Sequence, residues 1–390
     1  MKIIIHRGTH QIGGCITEIL TKDSRIIIDM GEELPNPNIP SHQIDLPGVT
    51  SGPSTCDGVF FTHYHGDHIG LISTINPDIP LYLGEAAKDI YLVLQTHLRK
   101  KNLTQLNSIK TYKAAEPIII KDITVTPFVV DHSAYDAYMF LIEADGKRIL
   151  HTGDFRNHGF KGKGLLKVVD AYLPNIDLLI TEGTSLSRTS SQPMTEHELI
   201  NEAKVLIKEH KYVFVICSST NIDRISAFYQ ATPRGKYFIC DHYQKDVLKV
   251  VENHGKQYSS IYSFEKALYY DKNLDPKLID RGFCMLIRKS DYFEEILKKF
   301  DPEQSLIIYS MWQGYIQDLS TGMEDFLKGH HYVSLHTSGH ASRETIKALC
   351  DKVNPKIGVL PIHSESPEEL AHLGIKSKII SLKDGEMFIV

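Results

Sequence analysis

Several things are scarce in this sequence, and each shortage closes off a class of protein. No apolar run reaches the roughly 18 residues that a membrane-spanning helix needs, so no membrane role is expected. At the start, only Ile3, Ile4 and Ile5 are apolar before His6, too few for the apolar region of a secretory signal. The six cysteines, Cys15, Cys56, Cys217, Cys240, Cys284 and Cys350, form no Cys-x-x-Cys pair and no framework spacing. They read as reduced, buried thiols of a cytoplasmic protein. Charge of one sign is not in excess either: 43 Lys and Arg against 48 Asp and Glu leave a net −5, which excludes holding nucleic acid by bulk positive charge. Internal repeats, low-complexity tracts and heptads are absent. What is present is 390 residues, enough for two or three domains or one large domain with an insertion, and twenty histidines, about one residue in twenty.

Short apolar runs bounded by turn residues dominate the first 180 residues or so. Strands are expected near 2–6, 15–21, 25–29, 59–62, 117–120, 124–130, 138–144, 148–151 and 177–182, with helices near 69–76 and 85–98. Asp145-Gly146 is a hairpin turn by composition, and Asp384-Gly385 suggests another. The Ser- and Thr-rich stretch from Ser185 to Pro193 then reads as a boundary. Beyond it Thr195 and Glu198 form a capping box ahead of an apolar helix face, and strand and helix patterns alternate to about residue 310. That alternation indicates a small parallel α/β unit. From His331 short strands return, so an outer domain of residues 1–186 and 331–390 is expected to carry an inserted unit at 187–330.

The strongest chemical signal is Phe60-Phe61-Thr62-His63-Tyr64-His65-Gly66-Asp67-His68, an apolar strand running into three histidines and an aspartate. Imidazole and carboxylate are ligands that zinc accepts, and a tight loop at a strand end can aim alternate side chains at two neighbouring ions. A histidine-rich surface turn is the plainer reading, but the density of ligand types within six residues outweighs it.

This His-x-His-x-Asp-His pattern resembles the second motif of the metallo-β-lactamase superfamily. The other motifs follow in order: Asp29 after Ile26-Ile27-Ile28, His132 in Asp131-His132-Ser133, and Asp154 in Thr152-Gly153-Asp154-Phe155-Arg156. Glu182 in Thr181-Glu182-Gly183-Thr184, His340 in Ser338-Gly339-His340-Ala341-Ser342, and His363 in Pro361-Ile362-His363 are similar to the three motifs of the β-CASP nucleases. Within that group Ser218-Ser219-Thr220-Asn221-Ile222-Asp223-Arg224 resembles the inserted domain of RNase J and its prokaryotic relatives. Two departures stand out. The insertion is short, and the sequence ends about 27 residues after His363, without the further C-terminal domain of RNase J.

The resemblance implies an α/β fold, a metallo-β-lactamase αββα sandwich with an inserted β-CASP domain, and two Zn2+ per chain, or Mn2+ in their place. One ion would be held by His63, His65 and His132, the other by Asp67, His68 and His363, with Asp154 bridging and Asp29 supporting ligands from behind. Asp67 would accept the proton of the attacking water, held as hydroxide between the ions, and His340, held by Glu182, would protonate the leaving oxygen or stabilise the phosphate. Substrate contacts are expected from Ser338, Gly339, Ala341 and Ser342 at a helix start, from Arg156 in a local basic loop with His158, Lys161 and Lys163, and from Asn221 and Arg224. The implied activity is a cytoplasmic ribonuclease acting on single-stranded RNA, with a homo-oligomer as an option. Two alternatives are a small-molecule metallo-hydrolase such as a lactonase or thioesterase, which needs neither Glu182 nor His340, and a non-catalytic subunit of a processing complex, against which the full ligand set argues.

Overall fold

The computed structural model describes residues 1–34, 43–99, 103–188 and 192–390, so residues 189–191 of the Ser- and Thr-rich stretch lie outside the described residues. Among the described residues the strands form three sheets, and the chain falls into two compact units. One comprises Met1–Asn157, Lys161–Gln192 and Gly339–Val390; the other comprises His158–Phe160 and Pro193–Ser338.

In the first unit a seven-stranded sheet runs in the order Met387–Ile389, Lys2–Arg7, Ile16–Leu20, Arg25–Ile28, Gly58–Phe60, Leu81–Gly84, Lys110–Tyr112. A six-stranded sheet runs Gly358–Ile362, Leu178–Glu182, Lys147–His151, Ala137–Ala144, Ile123–Val130, Ile118–Ile120. The period-2 alternation of the strand Ala137–Ala144 shows how these sequences build layers. Tyr138, Phe140 and Ile142 face a core shared with Ile3, Ile5, Ile26, Ile28 and Phe60 of the other sheet, while Met139 and Leu141 face the opposite way. There they meet Leu165 and Val169 of the helix Leu165–Tyr172 and Ile346, Leu349 and Cys350 of the helix Arg343–Val353. A sheet buried on both faces has no polar side, which is why its strands read as nearly continuous apolar runs. The helix Glu85–His97 packs on the strand Leu81–Gly84. Two facing sheets with helices outside make the αββα sandwich.

Turn chemistry is met in one place and not in another. Asp145 and Gly146 have φ of 51° and 68°, and Ala144 pairs with Lys147, the two-residue hairpin that Asp-Gly favours. Asp384-Gly385 is a turn but not a hairpin. No strand immediately precedes it, and Met387–Ile389 pairs with the N-terminal strand instead.

The second unit holds six parallel strands in the order Ala267–Tyr269, Tyr237–Cys240, Phe283–Ile287, Tyr212–Ile216, Ser305–Tyr309, Tyr332–Ser334. The capping box is formed: Thr195 Oγ1 accepts from the Glu198 N–H at 3.1 Å, and Glu198 Oε2 accepts from the Thr195 N–H at 2.7 Å. One expectation is corrected here. The strand at Tyr332–Ser334, read as part of the returning outer segment, adds in parallel to the edge of this sheet, so the unit runs on to Ser338. An edge strand belongs to whichever sheet offers it an open ladder, and three residues carry no mark of which sheet that is.

Arg224 is also corrected. Expected at the substrate, its side chain is 0% exposed and lies in a fork on Glu196, likewise 0% exposed, with Nε and Nη2 each 3.0 Å from a carboxylate oxygen. Its remaining donors reach Ser310 Oγ at 2.7 Å and the Thr337 carbonyl at 3.0 Å. Asn221 caps the same helix, its side chain accepting from the Arg224 N–H at 3.2 Å. The pair ties two helices and two loops of this unit together. Removing one member strands a buried charge, so Arg224→Ala is expected to lower unfolding stability by about 3–5 kcal/mol in chemical denaturation. A loss under about 1 kcal/mol would show that the pair is not structural.

Candidate metal centre

The candidate ligands stand at the carboxyl ends of strands of both sheets. Asp29 follows Arg25–Ile28, the histidine loop follows Gly58–Phe60, His132 follows Ile123–Val130, Asp154 follows Lys147–His151, and His363 follows Gly358–Ile362. Two of these junctions need backbone that ordinary residues avoid. Asp29 has φ of 62° and His363 φ of 53°, both in the left-handed region, a local cost that the surrounding contacts must hold in place. Gly153 has φ of 54°, and a Cβ there would come within 2.9 Å of the Thr62 side chain, so only glycine lets the Asp154 strand approach the histidine loop.

Four of the imidazoles are oriented from behind. Thr62 donates its N–H to Asp29 Oδ1 at 2.7 Å and its hydroxyl to Oδ2 at 2.9 Å. With that hydroxyl proton engaged, Thr62 Oγ1 can only accept from His63 Nδ1, 3.0 Å away. His68 Nδ1 lies 2.8 Å from Asp29 Oδ2, His132 Nδ1 lies 2.7 Å from the Gly339 carbonyl, and His363 Nδ1 lies 2.7 Å from Thr184 Oγ1. These partners place the proton of four rings on Nδ1, which leaves four Nε2 lone pairs pointing inward.

Inward they meet acceptors. Asp154 Oδ2 lies 3.2 Å from His68 Nε2, 3.7 Å from His363 Nε2, 3.9 Å from His132 Nε2 and 4.0 Å from His63 Nε2. Asp67 Oδ2 is 3.2 Å from His363 Nε2, and His65 Nδ1 is 3.2 Å from His132 Nε2. Among the described residues the buried atoms His63 Nε2, His68 Nε2 and Asp154 Oδ2 have no hydrogen-bond partner. Lone pairs and carboxylate oxygens aimed at one another in a buried space favour bound positive charge, so the residues fit divalent metal.

For three of the rings the protonation tendencies agree. Burial, reinforced by neighbouring imidazoles, holds His63 and His132 well below the ordinary histidine range and brings His65 down to about 4, the neutral form that ligates metal. Burial works against charge on His68 as well, yet Asp154, Asp29 and Asp67 outweigh it and raise that ring well above its usual value. The carboxylates attract any available positive charge.

Beside this cluster, His340 Nδ1 is 3.2 Å from Glu182 Oε2 and 3.5 Å from Asp154 Oδ2. Burial alone would favour neutral His340, but Glu182 and Asp154 lift it to about 9. The other oxygen of Glu182 is fixed by the Phe155 N–H at 2.9 Å. Thr184, unassigned by sequence reasoning, joins the two histidines: its hydroxyl is 2.7 Å from His363 Nδ1 and 3.2 Å from His340 Nδ1. It stands two residues after Glu182 in an already conspicuous motif, the one signal that could have found it.

Of the expected substrate contacts, Arg156 is corrected. Its side chain is 0% exposed and pairs with Asp131 at 3.1 Å, bracing the loop that carries His132. Of the rest of the basic loop, His158 is buried with Nε2 2.7 Å from the Ser338 carbonyl, Lys161 lies over the Tyr135 ring, and Lys163 is exposed. Gly339 offers its carbonyl to His132, Ala341 donates its N–H to Glu182 at 3.4 Å, and Ser342 caps the helix Arg343–Val353. Ser338, Asn221 and Arg224 belong to the other unit.

Residues 24–212 match the model of the β-lactamase superfamily domain, and residues 330–377 match that of the Zn-dependent metallo-hydrolase RNA specificity domain. The chain is 22% identical to ribonuclease J of Mycoplasma genitalium, across 98% of this chain and 72% of that protein. It is 24% identical to ribonuclease J of Helicobacter pylori strain 26695, across 99% of this chain but only 60% of that longer protein. A probable RNase MJ4 of Methanocaldococcus jannaschii is 27% identical over 47% of this chain and 45% of its own length. Among solved structures, an Enterococcus faecalis protein of unknown function superposes with a TM-score of 0.79 at 20% identity, covering 100% of this chain and 99% of that one, which supports the fold. The chain thus carries a β-lactamase superfamily domain and is similar to ribonuclease J proteins along nearly its whole length.

Because Asp29 orients two rings through Thr62 and His68, Asp29→Asn is expected to weaken zinc binding by about 10- to 100-fold in a competition titration, with the circular dichroism spectrum retained. Unchanged affinity would mean that the rings are positioned by other contacts.

Proposed function

We propose that this chain is a two-metal ribonuclease that hydrolyses phosphodiester bonds of single-stranded RNA in the cytoplasm. The observation that carries the reading is the convergence of His63, His65, His68, His132, His363, Asp67 and Asp154 beside a histidine held on a buried glutamate. Three of the relatives compared are ribonucleases by name, and the matched C-terminal model is one of RNA specificity. The six buried free cysteines fit a reducing compartment.

His63, His65 and His132 would hold one ion and Asp67, His68 and His363 the other, with Asp154 between them. Bound there, two divalent cations supply charge neutralisation for the phosphate and acidify water at neutral pH. The remaining steps belong to the protein. Asp67, kept ionised by His68 and His363 although burial opposes it, takes the proton of the attacking water. The water oxygen attacks phosphorus in line with the leaving ribose oxygen, the P–O bond breaks, and His340 delivers a proton to that oxygen. Glu182 secures Nδ1 of His340, so the proton for transfer sits on Nε2, and the side chain is 22% exposed, enough to meet a substrate. A lactonase or thioesterase would leave the Glu182–His340 pair without work.

Purified protein with zinc or manganese should degrade single-stranded RNA and stop on chelation. His65→Ala and Asp154→Ala should abolish cleavage and lower bound metal, whereas His340→Ala should slow cleavage by about 10²- to 10⁴-fold with metal retained. Turnover of a lactone or thioester without cleavage of RNA or DNA would overturn the reading.

A further inference from the structure

One more donor faces the metal centre. Cys15 is 2% exposed and lies just before the strand Ile16–Leu20, in a stretch that matches none of the motifs above. Its Sγ and one ring nitrogen each of His68 and His363 all lie within 4.8 Å of one another. Among the described residues, no other cysteine joins a group of this kind.

The sulfur is held there by the backbone that shapes the site. The Cys15 N–H donates to the carbonyl of Asp67 at 3.1 Å, the Cys15 carbonyl accepts from the Gly31 N–H at 3.2 Å, and the neighbouring Met30 N–H donates to the carbonyl of His68 at 2.8 Å. On the other side Gly8, with φ of 112°, accepts from the His363 N–H at 2.7 Å, and a Cβ on Gly8 would stand 3.2 Å from the sulfur. Cys15 is thus clamped between the segments that carry Asp67 and His68 and the one that carries His363. A cysteine used only as a small apolar filler would face hydrocarbon. This one faces two imidazoles, one of them with a buried Nε2 that makes no hydrogen bond.

Resting on the two-metal reading, we infer that Cys15 is a ligand of the ion held by Asp67, His68 and His363, giving that position a sulfur donor and a preference for zinc over manganese. On coordination the S–H bond breaks, its proton passes to solvent and a sulfur–metal bond forms. Thiolate is a soft donor that suits zinc, while manganese keeps to oxygen and nitrogen, so the two ions at this centre should differ in exchange behaviour.

Cobalt(II) makes the claim visible, since zinc is spectroscopically silent. The full chain loaded with Co2+ should show a near-ultraviolet thiolate-to-cobalt charge-transfer band beside its visible ligand-field bands. Cys15→Ser should lose the first and keep the second, and its selectivity for zinc over manganese should fall at least about tenfold. X-ray absorption of the zinc-loaded natural protein should contain a sulfur contribution at about 2.3 Å, a test that holds even where the serine variant fails to fold. Bound cobalt without the charge-transfer band, a band that survives in Cys15→Ser, or a zinc environment of nitrogen and oxygen alone would overturn the inference about Cys15 and leave the metal centre standing. Failure to bind cobalt at all would overturn the metal centre itself.

Discussion

A buried carboxylate oxygen surrounded by imidazole lone pairs is the condition on which the rest of this structure depends. Asp154 Oδ2 lies within 4.0 Å of ring nitrogens from His63, His68, His132 and His363, and among the described residues it has no hydrogen-bond donor of its own. Such an arrangement is unfavourable without positive charge, because desolvated acceptors repel and nothing replaces the water they lost. The protein nevertheless enforces it. Asp29, Thr62, Thr184 and the Gly339 carbonyl each occupy the outer nitrogen of a ring, so the rings cannot turn away to relieve the contact. The fold stabilises a binding-ready geometry, in which bound metal would supply the missing positive charge.

The sandwich serves this condition directly. Parallel strands deliver their carboxyl ends to one edge, and both sheets contribute: Asp29 and the histidine loop from one, His132, Asp154, Glu182 and His363 from the other. Because the inner strands of the second sheet, Ala137–Ala144 and Leu178–Glu182 among them, are buried on both faces, their ends are fixed by packing as well as by hydrogen bonds. The left-handed backbone at His363 is tolerable for that reason, and that at Asp29, on the other sheet, is held by the hydrogen bonds of its carboxylate to Thr62 and His68. Glu182 extends the same principle to a group outside the cluster, with one oxygen anchored to the Phe155 N–H and the other turned to His340.

Much of this was legible in the amino-acid order. The apolar runs ending in Asp29, Thr62, Val130, His151 and Glu182 announced strands, and the ligand types beyond them announced chemistry, since local pattern and local chemistry both survive in a one-dimensional string. What depends on burial did not. Arg156 and Arg224 look like phosphate contacts because arginine so often makes them, yet each lies fully buried in an ion pair with an acid distant in the chain, Asp131 and Glu196. Thr184 and Cys15 are ordinary in sequence and gain meaning only from neighbours brought together by the fold, His340 and His363 for one, His68 and His363 for the other. The strand Tyr332–Ser334 went astray for a similar reason: its partner Ser305–Tyr309, not its own sequence, decides which sheet it joins.

Anomalous diffraction at the zinc edge from crystals of the zinc-loaded protein would locate the ions. Two peaks are expected, one ringed by His63, His65 and His132 and one by Asp67, His68 and His363, with Asp154 Oδ2 touching both. A single peak, or zinc bound elsewhere while these side chains keep their mutual contacts, would contradict that expectation.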